Sequence, residues 1–433
     1  MKSSLVLHAF LFAVVVLALP VHAQTTANDF ITPVTVSQLS LSTKAQETLA
    51  RVQKNPIYQQ IQLVRLGNLA KIQQNGQLTF SLPGNPKPLI ATASRVVAQS
   101  ESTYDWYGEL LNGVGHANFL CREGKITANI SIGDLVYEIY HLDNDIHVLL
   151  NAFLDPKKSD CGNTRSFGSL PKTTPKGART SYVGECVGLV RVLVLYTPDA
   201  RNSVADINQT INMCISNFNS CVYNSNVTSR VLIELAGQAE INFQETNDIS
   251  DDVETNLPNN ATAQQLRNDT QADLVVLLTN ADYGSVFGAA GTLDLDPTRA
   301  YAILLAAAAV SNRQTFSHEV GHLYSLRHNG DNNSSSQYQQ YAHGYKFSTG
   351  LFQNCATIMV NGNDVPNSGR LLRFSNPNVA VDGVATGTAD NNDNARRITE
   401  TFATVNSFRS DVFRPLNVSI SGPTYGYSLQ WYT

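Results

Sequence analysis

HEVGHLYSLRH, residues 318–328, constrains the fold more than any other stretch of this 433-residue chain. It holds three of the chain's nine histidines and a glutamate. On a helix, His318 and His322 lie one turn apart and face the same way, with Glu319 beside them. His328 comes six residues after His322, about 1.7 turns on, so an unbroken helix would put it on the opposite face. If the three imidazoles are to meet, the chain must leave the helix after His322 and fold back. The plainer reading is the polar face of an ordinary helix. With average residue frequencies, however, this three-histidine pattern arises by chance in well under roughly one such chain in a thousand.

Three imidazoles with a fourth position left open suit zinc. It is held at about 2.0–2.1 Å and lowers the pKa of a bound water to about 7. His318, His322 and His328 are the expected ligands. Glu319 is spaced to take a proton from that water instead of ligating. His343, in YAHGYKF, reads as a hydrogen-bonded loop residue.

The chain starts with Lys2, an apolar run from Leu5 to Leu19, and small residues up to Ala23. This is the pattern of a signal peptide over residues 1–23 and implies a secreted, extracellular product. About fifteen apolar residues fall short of the roughly twenty that span a bilayer, so no membrane span is expected. The net charge is -5, with no basic run, which argues against nucleic acid or an anionic membrane as partner. Stretches such as KITANISIGDL (residues 125–135) read as strands of a mostly β unit. Residues 156–182, rich in Pro, Gly, Ser and Thr, read as an exposed and cuttable linker.

Beyond the linker, apolar runs alternate with helical ones: strand 188–196, a long helix 198–224, strand 231–236, helix 261–269, then strands 274–279 and 301–307. That alternation predicts a largely parallel sheet in an α/β domain, with the histidine helix next in the chain. The tail from Pro415 is too short to fold alone.

HEVGHLYSLRH resembles the metzincin zinc signature, and Met359 in CATIMV is placed as its methionine turn. VLVLYTPDAR, ADLVVLLT, TFSHEVGH, HGY, RFSNPNV and NARRI extend the likeness, over roughly residues 185–412, to the reprolysin (adamalysin-like) group. The resemblance implies a zinc endopeptidase with a mixed, mostly parallel five-stranded sheet, a zinc-binding active-site helix and a substrate strand across a cleft. It also implies a preceding β prodomain that inhibits the enzyme. The divisions are then 1–23 signal peptide, 24–182 prodomain and linker, 183–414 peptidase and 415–433 tail, possibly a truncated module. Two positions depart from the pattern. Ser325 stands where glycine is usual, at a turn glycine adopts most cheaply. Asn329 follows the third histidine where many relatives have Asp, with Asp331 nearby.

Cys121, Cys161, Cys186, Cys214, Cys221 and Cys355 in an exported chain are most simply three disulfides. Cys214 and Cys221 on one helix would be roughly 10 Å apart, too far to bridge. Cys161 has two readings. It is a latency cysteine whose thiolate takes the fourth zinc position, or it pairs with Cys121; the pairing is preferred because a free Cys161 leaves an odd thiol. Structural calcium in the acidic loops is left open. The competing class is a zinc-stabilised binding protein without catalysis. A serine hydrolase finds no support, since G-x-S-x-G is absent. The loops around Met359 and Arg373 are expected to shape the pocket that reads the side chain after the cut.

Overall fold

The computed structural model describes residues 29–35, 39–69, 76–85, 87–100, 102–110, 114–133, 135–152, 159–161, 189–227, 231–331, 340–350, 354–366 and 369–409. The signal peptide, most of the linker and the C-terminal tail lie outside the described residues. No helix among the described residues is long and apolar enough to cross a membrane.

The N-terminal unit is one antiparallel sheet with a helix, α1 (Thr43–Lys54). Its strands are β1 (Ile31–Pro33), β2 (Tyr58–Leu66), β3 (Gln77–Phe80), β4 (Leu89–Ser100), β5 (Thr103–Leu110), β6 (Gly115–Arg122), β7 (Lys125–Ile132), β8 (Leu135–Asp143) and β9 (Ile146–Ala152). They run in the order β1-β2-β9-β8-β7-β6-β5-β4-β3. Phe119 sits at the centre of its core, with Phe30, Phe80 and Trp106 set edge-on around it. Such pairs are worth about 0.5–1.5 kcal/mol beyond their burial.

The second sheet runs β10-β14-β15-β13-β11-β12. Its members are β10 (Ser159–Cys161), β11 (Leu189–Tyr196), β12 (Leu232–Glu240), β13 (Leu274–Thr279), β14 (Val286–Ala290) and β15 (Tyr301–Leu305). β11, β12, β13 and β15 are mutually parallel, and β14 runs antiparallel to β15. Every residue of LVVLLT is buried because both faces are covered. Val276 and Leu278 face one core, with α3 (Ile207–Asn224) and α6 (Thr315–Leu323). Val275 and Leu277 face the other, with α4 (Ile249–Asp251) and α5 (Ala261–Thr270).

The structure corrects the expected long helix 198–224. It is two helices, α2 (Pro198–Ser203) and α3, because the Asp206 side chain accepts from Asn208 N and Gln209 N and starts a new helix there. It also adds strands that periodicity did not reveal. VFGAA, β14, is too poor in bulky residues to read as a strand, and its pairing with β15 makes it one. β10 comes from the expected linker and adds itself in parallel to the outer edge of β14, Ser159 opposite Val286 and Cys161 opposite Gly288.

The two units pack through polar contacts at α3 and at the segment that leads into the histidine helix. Asn118 donates to Asn217, Thr127 to Gln209 and Asn129 to the carbonyl of Val310. Among the described residues, none of the expected disulfides is formed. Cys121, Cys214, Cys221 and Cys355 are buried free thiols. The preferred Cys121–Cys161 pair fails for a topological reason: Cys121 lies in the first sheet, donating to Ser102 O, while the backbone of Cys161 joins the second. Cys186 and the Cys161 side chain lie outside the described residues.

Candidate metal centre

α6 carries Thr315–Leu323 and buries all nine of its residues. Phe316, Val320 and Leu323 anchor it in the core it shares with α3, each worth about 1.5–3 kcal/mol by burial. That leaves His318, Glu319 and His322 along the other side. The helix stops after His322 in a double backbone closure: Ser325 N donates to His322 O at 2.8 Å and Leu326 N to Gly321 O at 3.2 Å. Ser325 takes the left-handed conformation this closure demands, φ +67°, at the position where glycine was expected. Its hydroxyl accepts from the Arg397 guanidinium at 3.1 Å.

This turn brings His328 back. The Nε2 atoms of the three histidines lie 3.0 Å (His318–His328), 3.2 Å (His318–His322) and 3.0 Å (His322–His328) apart. Nδ1–H of His318 donates to Ile358 O and that of His322 to Leu326 O, both at 2.8 Å. Those bonds fix the tautomer and turn the Nε2 lone pairs inward. Lone pairs facing each other at this range repel unless a cation sits between them. Three nitrogens around one tetrahedral zinc are spaced roughly 3.3 Å apart, so the residues fit that ion. Among the described residues this is the group of three or more metal-ligating side chains that converges.

Burial pushes all three imidazoles toward the neutral, ligating form. His322 is lowered to about 4, and His318 and His328 are held well below the ordinary imidazole value, with the Arg370 charge adding to the effect on each. Asp331 accepts from His328 N at 3.0 Å and its carboxylate is 3.7 Å from His328 Nδ1. Asn329 instead bonds Asp364 at 2.7 Å, so Asp331 takes the place beside the third histidine.

Met359 lies directly beneath. A Cβ on Gly321, the glycine inside HEVGH, would be 2.5 Å from the Met359 sulfur. A Cβ on Gly344, in HGY, would be 2.3 Å from the Met359 carbonyl carbon. His343 bonds the carbonyls of Gln340 and Asn391 through Nδ1, as a loop histidine.

A family model, Reprolysin_5 of metallo-peptidase family M12, matches residues 189–375, the stretch that builds this centre. The chain is similar along nearly its whole length to peptidyl-Asp metalloendopeptidase of Stenotrophomonas maltophilia (strain K279a), 28% identical over 420 residues, which cover 91% of this chain and 97% of that protein. The chain is a metallopeptidase, and its residues 189–375 are similar to the reprolysin type. The metallopeptidase is likewise 27% identical over 388 residues to peptidyl-Asp metalloendopeptidase of Xanthomonas campestris pv. campestris, covering 84% of this chain and 89% of that one. Among solved structures, metalloproteinase-II from Bacteroides fragilis is similar at 13% identity and a TM-score of 0.40, over 62% of this chain and 86% of that chain.

Sequence reasoning missed several residues that shape the metallopeptidase's centre. Gly288 on β14 abuts Glu319: a Cβ there would lie 2.8 Å from Oε1. Gly321 and Gly344 make room for Met359. Arg370 donates from Nη2 to Val360 O, just past Met359, and from Nη1 to Arg313 O, both at 2.5 Å. The available signal was a glycine inside each of three otherwise apolar or motif-bearing segments.

Proposed function

We propose that this metallopeptidase is a secreted zinc endopeptidase, made as a zymogen, that cuts internal peptide bonds of proteins beside aspartate. The observation that carries the reading is the convergence of three Nε2 atoms within 3.2 Å, with Glu319 fully buried beside them. The aspartate preference follows the names of the two relatives. His318, His322 and His328 would hold the zinc, which supplies a Lewis acid for the scissile carbonyl and an acidified water. Glu319 would serve as general base, taking a proton on its carboxylate from the attacking water and passing it to the leaving amine. Burial against Gly288 restricts the carboxylate to one place, and the bonds from His318 and His322 to backbone carbonyls hold the imidazoles in the ligating tautomer.

Residues 24–182 are the proposed prodomain and linker, and 183–414 the peptidase. The latent state is supported by β10, whose backbone occupies the outer edge of β14 beside Gly288, where an extended substrate would add as a strand. β10 also lies against Gly362–Asp364. Releasing it opens that edge.

The test is cleavage of casein by the purified protein after prodomain removal, beside Glu319→Gln, with zinc measured in both. Cleavage by the wild type, and loss of about 10²-fold or more in Glu319→Gln at equal zinc, is expected. Equal rates in the two would remove Glu319 from the mechanism, and no cleavage by either at full zinc would remove the enzyme reading.

A further inference from the structure

Of the two loops expected to read the substrate side chain, the one at Arg373 has its cation committed elsewhere. Arg373 donates to Asn224 O at 2.5 Å and pairs with Glu109 of the N-terminal unit at 2.9 Å. A different cation stands near the Met359 loop. Lys346 follows HGY in β16 (Lys346–Phe347), which pairs with β17 (Cys355–Ala356) so that Lys346 lies opposite Ala356, three residues before Met359. Phe347 is buried, while the Lys346 side chain is 49% exposed. Lys346, Phe347, Asn354, Cys355, Asp364 and Pro366 line a cavity of about 260 Å³.

Two hydrogen bonds tie this cavity to the metal centre. Lys346 Nζ donates to Asp364 Oδ1 at 3.1 Å, and Asn329, next to the third histidine, donates to Asp364 Oδ2 at 2.7 Å. The side chain of Asn329 in turn accepts from Asn361 N at 2.7 Å, two residues past Met359. Asp364 also belongs to the turn Gly362–Asp364, against which β10 lies. One short turn thus borders the cavity, the loop of the third histidine and the strand on the edge of β14.

We propose that Lys346 is the specificity residue of the cleft, and that the cavity it lines takes the acidic side chain of the substrate residue beside the cut. The inference rests on the endopeptidase reading above and names the residue behind its aspartate preference. An ammonium carries three donors, and Asp364 engages one of them, so a half-exposed Lys346 keeps donors for an incoming carboxylate. Asp364 divides its two oxygens between Lys346 and Asn329, which holds the lysine over the cavity without using up its donors. An exposed ion pair adds little to stability, so the fold itself gives little reason for a lysine here. Phe347 and Pro366 keep water from part of the wall, which strengthens a charge pair formed inside. A substrate strand added along β14 in place of β10 would run past Gly362–Asp364, the turn that supplies Asp364 to the cavity. The segment that holds this edge in the precursor, Ser159–Cys161, has Asp160 at its middle, an acidic residue in the same track.

The experiment uses activated enzyme and a pair of peptides that differ by Asp or Asn at one position, with the cut site mapped by mass spectrometry and zinc measured in every sample. The readout is the kcat/KM ratio between the two peptides. A general loss of structure slows both peptides alike, so the ratio separates recognition from folding. Wild type is expected to prefer Asp by about tenfold or more, Lys346→Met to bring the ratio within about threefold of one, and Lys346→Glu to turn it below one, all at unchanged zinc content. A wild-type ratio near one would sink the aspartate reading and this proposal with it. A wild-type preference for Asp that survives in Lys346→Met and Lys346→Glu would overturn only the role of Lys346.

Discussion

Gly288 on β14 and Glu319 on α6 are packed so closely that a Cβ on the glycine would lie 2.8 Å from Oε1 and 2.9 Å from Cγ of the glutamate. A strand poor in bulky residues thereby sets where the proposed general base can stand. Gly288→Ala should push the carboxylate aside, lowering kcat by about 10²-fold through misplacement and costing about 1–3 kcal/mol of stability by overpacking. The atoms that a Cβ there would meet first belong to Glu319 and Thr315 and not to the histidines, so zinc content should hold. Steady-state kinetics with metal analysis checks this, and an unaltered kcat would show that the contact does not position the base.

Ser325 pays for its left-handed backbone with the turn that returns His328. A β-branched residue adopts φ near +67° only with strain, so Ser325→Val is expected to cost about 2 kcal/mol and to loosen His328. Thermal melting should fall, and zinc should be lost to a chelator at lower concentration than from the wild type. A variant that melts and holds zinc like the wild type would mean the turn tolerates any residue.

Cys161 tests latency. Its backbone lies on the edge of β14, and if it is the latency cysteine its thiolate helps to hold β10 there. Cys161→Ser should give a precursor that cleaves casein without prior processing, or that processes itself at least about tenfold faster. The assay is activity of the intact chain followed by gel over time. A precursor as silent as the wild type would assign latency to the β10 backbone and the polar contacts at α3 alone.

Glu138, fully buried under the contact with α3, has its carboxyl pushed up to about 7 by burial, although the Tyr140 hydroxyl donates to it at 2.7 Å. Between the ordinary 4.5 and about 7, the folded precursor keeps this proton while the unfolded chain has lost it, so this residue lowers stability as pH rises through that window. The full loss is on the order of 3 kcal/mol. Glu138→Gln, made on the inactive Glu319→Gln precursor, should leave the melting temperature nearly unchanged at pH 4 and raise it at pH 8. His116 and His147, lowered to about 4 by burial, contribute in the opposite direction over a similar range and are common to both proteins. Equal pH profiles would show that Glu138 is not protonated in the fold.

What the sequence determined by itself was whatever local spacing encodes. The four-residue interval puts His318 and His322 on one face, the six-residue interval demands a break before His328, and the break appears at Ser325, with the positive φ that the family resemblance implied there. LVVLLT was legible as a buried strand to the residue, because continuous apolar runs report burial on both faces. The interruption of 198–224 at Asp206 was less visible, since a helix and a helix pair share one periodicity and differ only at a cap.

Only the tertiary structure decided the rest, because it depends on which distant segments meet. VFGAA is a strand by virtue of β15 beside it, and SDC by virtue of β14. Cys121 was paired in expectation with a residue whose backbone belongs to another sheet. Arg370 and Arg373 are three positions apart and chemically identical, yet one holds the turn under the metal ligands and the other pairs with Glu109. No local rule separates them, since the direction of each side chain is set by the packing of the loop against Arg313 on one side and α3 on the other.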